Sequence, residues 1–480
     1  MNPAMTGGLN RLQTLRYILK QSWPVLVSQW ASMSFGVLDT VMNGHASPTD
    51  LAAMALAVTV YITVYVGLMG VMHALIPIQA QDFGAGRLSE VGRHWGQGVW
   101  VALIISVPGG IVMLYPDVWL SFSGDVAPDV RVRMGEYLLA LTFALPAAML
   151  FRTVYALANA VSRPKLIMAI NLGGIVLKVL LNWLLIFGNA GLPAMGAPGA
   201  GVATAIVMWV MLGAGLWMIW RDPYYQRFQL RINLPDWRAI GQILKLGIPM
   251  GGSYLVEVTA FTFMSLLVAQ EGTAVIGGHQ IMANLAALAY MMPMSIGIAT
   301  ASLTAQSVGA QQFEQAHRTS MTGLYVALIG AIITALVIFY GREMIVAAYT
   351  SNPAVAAVAF SLMAMLPWFH VVDSMQCMNS YLLRAYKVAV APLVLQLIAL
   401  LLIGLLGGWW MGFGPGKVWM EPVRETLLAG SPTGAGSMWL MSSVGLAISA
   451  TLLHVWYRKV VRPMVATRRA DQSSRMNVSR

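Results

Sequence analysis

Of the 18 acidic residues in this 480-residue chain, most lie in polar breaks, but Asp39, Glu257 and Asp373 lie inside long apolar runs. An acid in a stretch able to cross hydrocarbon is expensive to hold there, so its default reading is functional; the alternative is a neutral or paired structural residue. Counted from the polar ends of their runs, Glu257 and Asp373 fall about 15 Å deep, near the midplane, and Asp39 about 24 Å from the inner edge. Two acids in one low-dielectric pocket cannot easily both stay charged. Glu257 and Asp373, if they share a cavity, would therefore form either a proton carrier or a seat for a small cation such as Na+. Tyr290 lies at comparable depth, where its ring could face a bound cation or simply pack. Lys178 and Arg152 are the bases within apolar runs. Lys178 precedes Asn182 by one helical turn, and either reaches Asp39 if their two runs pack together; snorkelling or structural pairing is the alternative. His73, His279 and His370 show no ligand spacing, the single Cys377 permits no internal disulfide, and HExxH and GxSxG are absent, so neither a resident metal nor another cofactor is expected.

The elements that hold these residues follow from composition. With 58% hydrophobic and 10% charged residues and a mean hydropathy of +0.69, the chain has too little polar surface for a globule in water. The expectation is an all-α integral membrane protein. Twelve apolar segments of 20 or more residues can be delimited, six from 22–42 to 201–220 and six from 246–269 to 437–457, each long enough for the ~30 Å hydrocarbon core. No cleavable signal pattern precedes the first, so insertion is expected to begin with that span.

The second six repeat the first. Ile18, Leu19, Lys20 and Pro24 recur as Ile243, Leu244, Lys245 and Pro249, and Gln81, Gly84, Ala85 and Arg93 as Gln306, Gly309, Ala310 and Arg318, all at an offset of 225. Further on, Leu145, Pro146 and Arg163 match Leu366, Pro367 and Arg384 at 221, which a four-residue deletion would explain. The chain thus divides into an N-terminal lobe (1–225), a cytoplasmic linker (226–245), a C-terminal lobe (246–460) and a basic tail (461–480). Twelve transmembrane helices would form two pseudo-symmetric six-helix bundles, related by an axis along the membrane normal. With the N-terminus inside, only Arg131, Arg133, Arg342, Lys417 and Arg424 of the 29 Lys and Arg residues fall outside, Arg152 and Lys178 lie within spans, and the rest are cytoplasmic. Both termini are then cytoplasmic, segment 117–131 faces outward, and the net charge of +11 is a topology signal rather than a nucleic-acid footprint. Some of the 33 Met residues would line a cavity whose wall adapts to ligands of different shape.

Several stretches carry a resemblance: VLDTVMNG followed by LAAMALA, QAQDFGAG, NW with GNAGLPAMGAPGAGVATAI, EVTAF, GGHQIMANLAALAYMMP, TAQSVGA and DSMQCMNSYLLRAYK. Between about residues 19 and 461 the chain resembles the multidrug and toxic compound extrusion (MATE) transporters of the NorM-like bacterial branch. The resemblance implies a MATE-type fold and gives Asp39 the role of first-lobe carboxylate, with Asn182 and Thr204 as polar partners and Lys178 close to that network. It gives Glu257, Asp373 and Tyr290 the second-lobe cation site. The expected function is a multidrug efflux antiporter, not an enzyme, exporting organic cations and drugs in exchange for Na+ or H+ by alternating access. It would act as a monomer in the bacterial inner membrane, with lipid, drug and coupling ion as its partners. A lipid-linked saccharide flippase of the same superfamily, or a polytopic membrane enzyme, is the alternative.

Overall fold

In hydrocarbon every backbone N–H and C=O must find a partner within the protein, and an apolar run does so locally by coiling into a helix. The computed structural model describes residues 10–120, 127–427 and 429–478, which are mostly helical, with no strand among the described residues. Residues 1–9 of the expected cytoplasmic N-terminus, 121–126 of the expected outward segment and the last two residues of the tail lie outside the described residues.

The first half comprises α1 (Arg11–Ala46), α2 (Pro48–Met72), α3 (Leu75–Gly84), α4 (Leu88–Leu114), the short α5 (Pro116–Leu120), α6 (Pro128–Ala160), α7 (Lys165–Leu185), α8 (Ala197–Arg221) and one turn, α9 (Pro223–Gln226). The second comprises α10 (Trp237–Val268), α11 (Thr273–Gly309), α12 (Phe313–Tyr349), α13 (Pro353–Met363), α14 (Leu366–Ala385), α15 (Val390–Gln396) with a π-helical continuation (Leu397–Gly407), α16 (Gly408–Gly412), α17 (Lys417–Leu427) and α18 (Thr433–Val478). Ten described helices are long and apolar enough to cross a membrane, α2 and α3 together counting as one, and the pair α13 and α14, bent by 50°, makes an eleventh. α1, which carries Lys20, Gln21, Gln29 and Asp39 within its length, would be the twelfth. The all-α, multi-span architecture expected from hydropathy is the one observed, and its span count is consistent with the twelve expected.

Exposed apolar side chains such as Val37, Val107, Phe143, Val176, Ile248, Ile333 and Val337 stand on the outer faces of these helices. A surface of this kind is stable against lipid, not water.

Two compact units emerge, one of residues 23–252 and one of residues 1–22 with 253–480. In the first, α6 lies at the centre against α2, α3, α4 and α8, and α7 packs on α8. In the second, α14 takes the same place against α11, α12 and α18. Each centre is the fourth span of its half. Trp439, Phe369 and Phe261 fill the core of the second unit; Trp95, Tyr137 and Tyr155 are buried in the first.

The repeat is written into the backbone hydrogen bonds. The end of α3 is closed by Ala85 N to Gln81 O, Gly86 N to Phe83 O and Arg87 N to Asp82 O; the end of α11 by Ala310 N to Gln306 O, Gln311 N to Val308 O and Gln312 N to Ser307 O, each at the offset of 225. Both caps turn on a left-handed residue, Gly86 (φ 74) and Gln311 (φ 57), the conformation that relieves the last carbonyls of a helix. The ends of α6 and α14 correct the offset of 221 read from the sequence. Ser162 N to Asn159 O and Arg163 N to Ala158 O recur as Lys387 N to Arg384 O and Val388 N to Leu383 O, again 225 apart. Arg384 therefore matches Asn159, not Arg163, and the shared Leu–Pro pair marks no lasting deletion.

The segment between the halves is held against α4. Gln97 donates to Leu234 O and accepts from Asp236 N, Trp100 donates to Asn233 O, and Arg93 bridges Glu90 and Asp236. Gly92 and Gly96 lie so close to the carbonyls of Phe228 and Arg231 that a Cβ at either position would collide with them.

Candidate functional site

In the unit of residues 23–252, α7 carries a buried stripe of Asn171, Gly174, Lys178 and Asn182, spaced three or four apart and thus on one face. Asn171 donates to Ser28 Oγ (2.5 Å) on α1, and Gly174 leaves room for Phe35. Further along the same face, Asn182 Nδ2 donates to Asp39 Oδ1 (2.7 Å), and Lys178 Nζ lies 2.8 Å from the same oxygen. The ammonium also donates to Thr204 Oγ1 (2.6 Å) and to Ala200 O (3.0 Å) on α8. Its three N–H bonds thus have three acceptors, with Lys178 at 1% exposure and Asp39 at 5%. Asn43, one turn beyond Asp39, donates to the Asp39 backbone carbonyl at 2.9 Å. Asp39, Lys178, Asn182 and Thr204 therefore form one closed network.

Arg152 lies elsewhere in this unit. Its Nε donates to the Tyr65 hydroxyl at 3.2 Å, as does its Nη2, and the guanidinium stands 5.1 Å from the centre of the Tyr155 ring. Tyr61 stacks on Tyr65 with ring centres 5.4 Å apart.

In the other unit, Asp373, Cys377, Tyr381 and Arg384 follow one another along a single face of α14. Tyr254 and Glu257 stand one turn apart on α10, and Tyr290 comes from α11 just before Pro293. Gly297 lets α11 approach α14, since a Cβ there would meet the Tyr381 ring at 2.7 Å. Glu257 acts on Asp373, and both act on Tyr290, which stands beside Cys377. Glu257 and Tyr290 are half-buried, and Asp373 is buried. Among the described residues neither carboxylate is hydrogen-bonded or in a salt bridge, the opposite of Asp39. Arg384 acts on Glu257 through space, while its Nη1 donates to the Tyr254 hydroxyl (3.0 Å), which shares a hydrogen bond with Tyr381 (2.6 Å). The arrangement offers two carboxylates and a phenol ring to a cation.

Sequence reasoning missed Asn43, Cys377 and the Tyr254–Tyr381–Arg384 group. Arg384 reads as a cytoplasmic topology charge at a span end, yet it is 4% exposed. The i, i+4, i+8, i+11 spacing from Asp373 was the available signal. His279 accepts from Trp439 Nε1 (3.1 Å) and bonds Ser265 Oγ (2.9 Å), a packing role. Among the described residues no group of three or more His, Cys, Asp or Glu could hold a metal ion, so any cation here would rest on the two carboxylates and neutral oxygens.

The MatE family model matches residues 24–184 and again residues 249–410, so the family unit occurs twice, in register with the repeat. A probable multidrug resistance protein NorM of Aromatoleum aromaticum is 38% identical over 451 residues, 92% of this chain and 94% of the relative. The multidrug resistance protein NorM of Vibrio vulnificus is 34% identical over 440 residues, 91% and 94% of the two chains. Among solved structures, a eukaryotic MATE transporter superposes with a TM-score of 0.83 at 19% identity over 95% of this chain and 98% of its own. The Vibrio cholerae MATE transporter VcmN in its bent form does so with 0.82 at 16% over the same shares. At such identities the structural likeness speaks for the fold.

Proposed function

The chain belongs to the MatE family of multi-pass membrane transporters, which are not enzymes and use no cofactor, and from that premise we propose that it is a multidrug efflux antiporter exporting organic cations in exchange for Na+ or H+. The name of the NorM relatives supports the drug as cargo. The observation that carries the ion coupling is the Glu257–Asp373 pair, two neighbouring carboxylates with no bonded partner.

Two such acids cannot both remain ionised and empty in a low-dielectric pocket; they are neutralised by a proton, by Na+ or by a cationic drug. Occupants that compete for one charge, or that favour different arrangements of the two lobes, are thereby coupled. Alternating access then moves drug outward as the ion moves inward, each inward charge contributing about 2.3 kcal/mol per 100 mV of membrane potential. Tyr290 offers its ring and hydroxyl to the bound cation. In this reading Asp39, with Lys178, Asn182 and Thr204, sets the state of the first lobe. The protein works as a monomer in the bacterial inner membrane with both termini cytoplasmic, an orientation supported by the distribution of basic residues.

Everted vesicles given a Na+ gradient or a proton gradient separately test the proposal, with accumulation of a fluorescent cationic dye as the readout. Accumulation under at least one gradient is expected, and its loss in Glu257→Gln and in Asp373→Asn. Dye movement that ignores both gradients, or that survives both substitutions, overturns the reading.

A further inference from the structure

The repeat makes the two lobes comparable position by position, and the comparison separates their charges. At the offset of 225, Tyr290 corresponds to Tyr65, Cys377 to Arg152, Glu257 to Ser32 and Asp373 to Ala148. The pairing corresponds as well: Tyr290 stands beside Cys377 in one lobe, and Tyr65 accepts from Arg152 in the other. Where the second lobe presents two unbonded carboxylates, the first has Ser32 and Ala148 at the equivalent positions and holds a guanidinium bound to the equivalent tyrosine. Asp39, on α1 of the first lobe, is met by the ammonium of Lys178, all of whose N–H bonds have acceptors in the protein.

We propose that Lys178 is a tethered counter-cation: it occupies at Asp39 the place that a transported cation or proton would take, closing the first lobe to coupling ions and leaving exchange to the second lobe. Arg152 does the same at the position equivalent to the second-lobe site. The inference deepens the antiport reading and rests on it for the word coupling, but the state of Asp39 can be tested without transport. A proton arriving at Asp39 would leave a buried ammonium without its counter-charge, and a second cation would bring two like charges against one carboxylate, so each is opposed. The other titratable groups that face this pair are Tyr61 from α2 and Tyr137 from α6, with Arg152 acting on Tyr61; α8 contributes only Thr204 and the Ala200 carbonyl. Once Lys178 loses its charge, nothing in direct contact with the Asp39 carboxylate is cationic, and Asp39 must take its cation from outside.

Dicyclohexylcarbodiimide, an apolar reagent that modifies protonated carboxyl groups in membranes, reads this directly. Purified full-length protein is labelled between pH 5.5 and 8.5 and the labelled peptides are mapped by mass spectrometry, with labelling of Glu257 or Asp373 as the sign of reagent access. In the native protein Asp39 is expected to stay unlabelled. In Lys178→Gln, which keeps polar contact with Thr204, Asp39 labelling should rise by about tenfold or more as pH falls, a single unit of carboxyl pKa being a tenfold change in the protonated fraction. Dye transport by the same variant should gain a second ion-binding event, its Hill slope in the coupling ion going from about one to about two. Equal Asp39 labelling with and without Lys178, or none in a folded Lys178→Gln, overturns the proposal. Lys178→Asn repeats the test should Lys178→Gln fail to fold, and in the native protein alone labelling of Asp39 at pH 6 contradicts it. A failure of antiport itself shows as absent ion-driven dye movement and leaves the labelling pattern unaffected.

Discussion

Removing one member of the Lys178–Asp39 pair should do more harm than removing both. The two groups lie 2.8 Å apart at 1% and 5% exposure, so neither can recover its hydration if the other is lost. Lys178→Met leaves a buried carboxylate with the Asn182 amide as its side-chain donor, and Asp39→Asn leaves a buried ammonium with Thr204 and the Ala200 carbonyl. Breaking a buried pair in this way costs about 3–5 kcal/mol, whereas replacing the whole pair by uncharged groups of similar volume is often neutral. The double variant Asp39→Asn with Lys178→Met should therefore lie within about 2 kcal/mol of native, giving a coupling of roughly 5 kcal/mol between the sites. The assay is the guanidine or heat midpoint of detergent-solubilised protein followed by size-exclusion fluorescence, with the four forms measured together. A double variant clearly more stable than either single is the predicted order. Losses that simply add would refute the reasoning, since they would mean the two charges are solvated independently.

Other outcomes follow from the same contacts. Glu257→Gln and Asp373→Asn should each abolish ion-dependent efflux, and the double variant should be no worse than either, because one shared site can be lost only once; fully additive losses in a dose curve would count against sharing. Tyr254→Phe removes the acceptor of Arg384 Nη1 and should lower stability by about 1–3 kcal/mol, read as a lower midpoint, while Tyr65→Phe at the Arg152 pair should act alike. Glu271 accepts from Gly434 N (2.8 Å) and Ala435 N (2.7 Å) at the start of α18, so Glu271→Ala should lower the midpoint by about 1–2 kcal/mol and Glu271→Gln by less. The hydrogen bond from Arg93, helped by the backbone N–H of Ala239 and Arg238, holds the Asp236 carboxyl below its usual range. Its support of the docked linker is thus present above the ordinary carboxylate pKa and fades as pH falls through the lowered value; linker proteolysis should accelerate only in that acid window, and Asp236→Asn should remove the acid dependence.

How much could be read without coordinates differs between the two lobes. The spans, the duplication and the second-lobe acids were legible because lipid demands long apolar helices and because a carboxylate in such a helix has no bland neighbours to hide among. Asp39, Lys178 and Asn182 were each conspicuous for the same reason, but whether they met depended on which faces of α1 and α7 turn toward each other, and a sequence fixes a helical face without saying which helix it meets. The offset read between Arg163 and Arg384 went astray because a shared Leu–Pro pair is too short to set a register; the cap hydrogen bonds of α6 and α14 settle it at 225. Arg384 reads as a topology charge because burial at a span end leaves no mark in hydropathy, although its i+11 spacing from Asp373 places both on one face.

The central claim is that drug and ion exchange through one protein, and purified protein in liposomes tests it most directly. A gradient of cationic drug is imposed with no ion gradient, and movement of Na+ or of protons in the opposite direction is followed by a trapped indicator. The account predicts counter-movement of one of these ions by the native protein and none by Glu257→Gln or Asp373→Asn. Drug movement with no accompanying ion flux, or ion flux in the same direction as the drug, would contradict it.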